Sequence, residues 1–174
     1  MNYISQLDEL TKDYESAFGQ LTLPELNTKE NAKSWSINQI IEHVTLLNKS
    51  YFAIFEEVQN GKYTTPIIGN FRFFANYLGK KIMESVDSKN FKKVKTATIW
   101  KPSTDAPTQN NITEFIAAQE ELKTYILNME KWIKRDIIIN SPANRNIVYP
   151  LTKALDIIIM HERRHFNQAS KLIS

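Results

Sequence analysis

Over four long stretches of the chain, apolar residues recur every three or four positions, the spacing of a helix face rather than of a strand. In the first, Ile4, Leu7, Leu10, Tyr14, Phe18 and Leu21 predict a helix from about Asn2 to Leu21, ended by Leu23-Pro24. Ser36 stands as N-cap of the second, which runs to the stop at Asn60-Gly61. Its apolar side carries Ile37, Ile40, Ile41, Val44, Leu47, Tyr51, Ile54, Phe55 and Val58. A shorter helix from Phe71 to Val86 presents Phe74, Leu78 and Ile82 on one face. An extended segment follows, Lys89 to Thr108, where Pro102 and Pro107 forbid a continuous helix. The third long helix, about Ile112 to Trp132, is capped by Asn111 or Thr113 and buries Phe115, Ala118, Leu122, Tyr125, Met129 and Trp132. A loop from Ser141-Pro142 to Tyr149-Pro150 leads into the last helix, about Leu151 to Ile173. The pattern predicts an all-α fold in a single domain, residues 1–174, with no internal repeat.

The candidate chemistry lies on the inward rows of these helices. On the last, Ala154, Ile158, His161, His165, Gln168 and Leu172 alternate spacings of four and three; on the second, Ser36, Ile40, His43, Leu47, Ser50 and Ile54 do so too. All three histidines of the chain thus fall on core-facing rows. Four-residue spacing brings His161 and His165 to one helix face, with β-carbons about 5–6 Å apart. A histidine from a facing helix would complete a three-ligand metal site with positions left open, the arrangement of catalytic rather than structural metal. The plainer alternative is a buried histidine cluster without metal, whose polar nitrogens would each need a partner.

The last pair also reads His161-Glu162-Arg163-Arg164-His165, formally the H-E-x-x-H motif in which the glutamate is general base. Nine residues follow His165, too few for the downstream third ligand of such proteases, so the third ligand is expected upstream, at His43. Glu162 is a candidate base, set against the simpler expectation of a solvated or salt-bridged helix residue. Gln168, one turn beyond His165, either bonds a ligand histidine or satisfies a loop carbonyl.

Composition narrows the classes. With 42% hydrophobic and 24% charged residues the chain has the make-up of a folded domain, and four glycines favour helices over a turn-rich β fold. There is no cysteine, which excludes disulfides, thiolate ligands and a cysteine nucleophile. A net charge of +3 is a poor basis for nucleic-acid binding. No apolar run reaches the roughly 18 residues of a membrane span, and Met1-Asn2-Tyr3-Ile4-Ser5-Gln6 does not open like a signal peptide. The expectation is a cytoplasmic protein with a small-molecule substrate and neither nucleic acid nor membrane as partner. Lys80, Lys81, Lys89, Lys92, Lys93 and Lys95 read as a solvated basic surface, Arg163 and Arg164 as partners of acidic residues at the helix end, Trp35 and Trp100 as packing residues. Phe71-Arg72-Phe73-Phe74 reads as a core or dimer contact.

The segment Lys33-Ser34-Trp35-Ser36-Ile37-Asn38-Gln39-Ile40-Ile41-Glu42-His43, combined with His161-Glu162-Arg163-Arg164-His165-Phe166-Asn167-Gln168, resembles the DinB-like superfamily, which includes the YfiT-type metal-dependent hydrolases. The similarity covers essentially the whole chain. It implies a four-helix bundle with a long irregular segment between helices two and three, and a metal held by His43, His161 and His165. The resemblance brings in thiol-dependent transferases and isomerases that use bacillithiol, mycothiol or glutathione, and it implies a homodimer. The function expected is that of a metal-dependent enzyme whose three-histidine site activates a low-molecular-weight thiol, as an S-transferase, or a water, as a hydrolase. Zinc or nickel suits an all-imidazole site best, with iron the third candidate. The contrasting class is a non-catalytic helical bundle, a ligand-binding or scaffold protein with a structural or vestigial metal site.

Overall fold

A computed structural model describes residues 2–86, 95–105 and 110–173. Helix α1, Tyr3–Phe18, starts where the Asn2 side chain accepts from the Ser5 N–H, and buries Tyr3, Leu7, Leu10, Tyr14 and Phe18. The short α2, Leu23–Leu26, is closed by a Thr22/Glu25 capping box, so Leu23-Pro24 begins a helix as well as ending one. Ser36 caps α3, Ile37–Ser50, as its sequence predicts, and Gln39 reaches back to complete the box. The second predicted helix is divided: a tightened turn at Tyr51 separates α3 from α4, Phe52–Gln59. Gly61 then ends α4 at φ 69, a conformation that costs glycine little, while the Lys62 N–H bonds the Glu57 carbonyl.

Helix α5, Arg72–Val86, sits differently from its expected face. Its buried residues are the small ones, Ala75 and Gly79, while Phe74 is 37% exposed. A Cβ at Gly79 would lie 3.1 Å from the Cβ of Tyr149, so the glycine lets the helix lie close against the strand behind it. The third predicted helix is likewise split, at Met129, into α6, Ile112–Asn128, with Asn111 as N-cap, and α7, Glu130–Arg135. The expected loop before the last helix is instead a hairpin of β1, Ile138–Ser141, and β2, Asn144–Pro150. Ile138 pairs with Pro150 and Ile139 with Tyr149, and a bulge follows Asn140. Ile138 and Ile139 on one strand and Val148 and Tyr149 on the other are all buried, and this pairing of β-branched and aromatic residues across a tight turn overrides the loop reading. Helix α8, Leu151–Ser170, leaves the hairpin directly, its first turn fixed by Asp136, whose Oδ1 accepts from both the N–H and the hydroxyl of Thr152.

The fold is therefore mostly helical with one two-stranded sheet. Helices α1 and α3 each pack against α6 and α8, and α5 lies on α8 and β2. Of the expected extended segment, residues 95–105 are described and include a 3₁₀ turn, Thr98–Trp100, against α3; Pro107 and the rest lie outside the described residues, as do Lys89, Lys92 and Lys93.

The apolar interior falls into two main clusters. One gathers Leu47, Tyr51, Phe55, Leu122 and Ile158; the other gathers Leu10, Tyr14, Ile40, Val44 and Phe115. Helices α3, α6 and α8 each pass from one cluster to the other, and each carries buried polar residues at the crossing: His43 and Asn48, Gln119, and His161, Glu162 and His165. This polar layer contains the candidate site.

Candidate metal centre

The three histidines meet. His43 comes from α3, and His161 and His165 come from successive turns of α8; all are at most 9% exposed. One nitrogen from each lies within 4.8 Å of the others. The ring centroids are 4.9 Å apart for His43 and His161, 4.8 Å for His43 and His165, and 4.4 Å for His161 and His165.

Two of the rings are oriented from behind. His43 Nδ1 lies 2.6 Å from the Trp100 carbonyl, which can only accept, so Nδ1 carries the hydrogen and Nε2 is a bare lone pair. His165 Nδ1 donates to Gln168 Oε1 at 2.9 Å, which likewise frees its Nε2. Outer hydrogen bonds of this kind fix the tautomer and aim of metal-binding histidines. The third ring has no such support: His161 Nδ1 is buried without a partner among the described residues, and its Nε2 lies 3.1 Å from His43 Nε2. If His161 carries its hydrogen on Nε2, it bonds His43 and strands Nδ1. If it carries it on Nδ1, two lone pairs face each other. A cation that accepts both Nε2 lone pairs removes that second conflict, and the donor set fits one.

Electrostatics points the same way. Burial holds His43 below its usual pKa. Burial, then the neighbouring His165 and His43, hold His161 well below its own. Burial pulls His165 down to about 3, with His43 adding to the effect. At neutral pH the cluster is three neutral imidazoles, the protonation state that binds metal.

Glu162, next to His161 in the chain, is placed elsewhere. It is fully buried, neither solvated nor salt-bridged as its sequence context suggests, and lies outside the group of clustered ligand atoms. Its Oε1 accepts from Asn48 Nδ2 and its Oε2 from Gln119 Nε2, both at 2.8 Å. Burial raises its pKa to about 7 against the lowering effect of the two amides. Behind it, the Tyr14 hydroxyl donates to the Glu162 carbonyl at 2.9 Å.

The chain matches the model of the DinB superfamily over residues 6–169. It belongs to that superfamily. No curated protein and no solved structure matches it. Within this DinB-superfamily chain, the geometry brings His43, His161 and His165 together and gives Gln168 a bond to His165, one of the two partners weighed for it, though Gln168 is itself exposed. Sequence reading missed the Trp100 carbonyl, a backbone group with no residue signature. It also missed Asn48 and Gln119, which did carry a signal as polar side chains on apolar helix rows. Trp35 packs its ring 4.8 Å from that of His43, and Trp100 Nε1 donates to Ser50 at 3.0 Å. Arg163 pairs with Asp13 and Glu9 across to α1 rather than at its own helix end, and Arg164 donates to the Ser85 carbonyl on α5.

Proposed function

We propose that this chain is a metal-dependent enzyme acting on a small molecule, with His43, His161 and His165 as the ligands. The observation that carries the reading is the tautomer set by the outer bonds: two imidazoles are held with Nε2 bare beside a third, His161, whose Nδ1 has no partner among the described residues. A metal ion bound by three neutral imidazoles keeps its full charge and supplies Lewis acidity, which favours the anionic form of a nucleophile. The chain's own part is to hold the rings in place through Trp100 and Gln168 and to keep them uncharged by burial. Glu162 has both oxygens engaged by amides, which favours a nucleophile that needs no protein base, a low-molecular-weight thiol, over water. We therefore read it as a thiol S-transferase first and a hydrolase second, built on a bundle of α1, α3, α6 and α8 and loaded with zinc or nickel before iron.

Plasma mass spectrometry of untagged protein tests this. About one equivalent of metal is expected, and it falls below a tenth in a His161→Ala/His165→Ala variant whose circular dichroism stays helical. Wild-type protein that takes up no ion after reconstitution refutes the reading.

A homodimer belongs to the same proposal. Ile67, Phe71, Phe73, Phe74 and Tyr77 expose 83, 66, 87, 37 and 52% of their surface, on the order of 600 Å² for side chains of this size. That reaches the upper end of what a monomer leaves bare and approaches one side of a standard interface. Arg72 amid them is neutralised by Asp136 at 2.7 Å, so two copies of the face do not repel. Sedimentation of Phe73→Glu should give monomer where wild type gives dimer.

A further inference from the structure

Beside the histidine cluster a second feature remains unused. A cleft of about 370 Å³ is walled by the connection before α3 and by the segment that crosses over it. Lys29, Lys33, Lys95 and Lys101 line it, and no carboxylate does. The four come from two segments more than fifty residues apart, so folding, not local sequence, concentrates their charge. All are exposed, and none joins an ion pair among the described residues. Elsewhere some lysines are paired, Lys49 with Glu114 and Lys123 with Asp8, each at 2.6 Å, while others, such as Lys12 and Lys171, join no ion pair among the described residues.

One acid is bonded to a residue of the cleft wall. Glu42 accepts from the Ser103 N–H at 3.1 Å and the Ser103 hydroxyl at 2.7 Å, and Gln39 Nε2 donates to the Ser103 carbonyl at 2.7 Å. These bonds pin one wall to α3, so the cleft is already formed. No residue lining the cleft supplies a counter-charge, a concentration of like charge that a bound anion would relieve.

The cleft adjoins the candidate metal centre. Trp35 lines it with its ring 4.8 Å from that of His43, and Lys101 follows Trp100, whose carbonyl orients His43. The volume lies at the low end for small-molecule sites. We infer that this cleft binds the anionic end, carboxylate or phosphate, of the small molecule whose reacting end meets the three histidines. The reacting end rests on the function proposed above; the anion site does not.

The test uses the full metal-free chain, titrated with inorganic phosphate and with succinate at fixed ionic strength and followed by calorimetry. Saturable binding of at least one is expected, weakened tenfold or more in Lys33→Gln/Lys101→Gln. Lys12→Gln/Lys171→Gln removes the same charge elsewhere and should change it less than twofold. Tighter phosphate binding assigns a phosphate end, and tighter succinate binding a carboxylate. No saturation by either probe, or equal weakening in the control, overturns the inference, as does a DNA duplex that binds through the same lysines a hundredfold more tightly. A zinc titration of the same proteins separates the two readings. Zinc uptake without anion binding removes the cleft alone. Anion binding without zinc uptake supports the anion site and removes its link to a metal centre.

Discussion

His161 and Glu162 are consecutive on one helix and both buried, yet the interior treats them in opposite ways. Glu162 meets one amide per oxygen, from two different helices, although the oxygens of those amides, Asn48 Oδ1 and Gln119 Oε1, have no partner among the described residues. His161 meets another imidazole at 3.1 Å and has a nitrogen with no partner among the described residues. Burying a polar group costs stability unless its hydrogen bonds are replaced. Where they are all replaced, as at Glu162, the group ties helices together. Where they are not, the protein tolerates a cost, and such places are where a ligand is expected.

The comparison breaks most forcefully at Glu162. Glu162→Ala strands two buried amides and should cost about 3–5 kcal/mol in urea unfolding, while the folded fraction still takes up metal. A variant that loses metal without losing stability would reverse the roles of the two residues.

Acid sharpens it next. For the metal-free protein, an unfolded histidine takes its proton near pH 6.5, whereas folded His165 resists down to about 3. Stability is therefore whole above 6.5 and lost as pH falls through that window, at about 1.4 kcal/mol per pH unit for each histidine still unprotonated. Glu162 has the opposite sign: unfolded it ionises near 4.5, but folded it holds its proton to about 7, so its contribution falls as pH rises from 4.5 to 7. Denaturation of Glu162→Gln across pH 4–8 should remove the second slope and leave the first.

The smallest expected effect is at Gln168. Replacing it with Ala frees His165 Nδ1 but leaves the ring packed, and should weaken metal affinity about tenfold in a chelator competition with unchanged unfolding. No change would show that burial alone aims His165.

Much of this was legible beforehand. Period-3.6 rows marked the four long helical regions, Ser36 announced its own cap, and the histidines stood on the rows that proved buried. What escaped was set by tertiary contact. The breaks at Tyr51 and Met129 fall inside unbroken apolar periodicity. The hairpin hides in a stretch where Pro142 and Pro150 suggest a loop, although Ile138, Ile139 and Val148 favour strands. Helix α5 faces inward through Ala75 and Gly79, because the neighbour it must approach is a strand that only a small residue can touch. Glu162 was read as a surface residue since charge usually means water, and its two amides arrive from helices that sequence cannot align.

The Trp100 carbonyl carries a last implication. Every residue type has a carbonyl, so the group that holds His43 cannot be removed by any side-chain substitution at position 100. A mutational scan would pass over it, because the bond to His43 depends on the path of the segment across α3 and not on which side chain stands at position 100. Conservation of a route rather than of a letter is what related chains should display there.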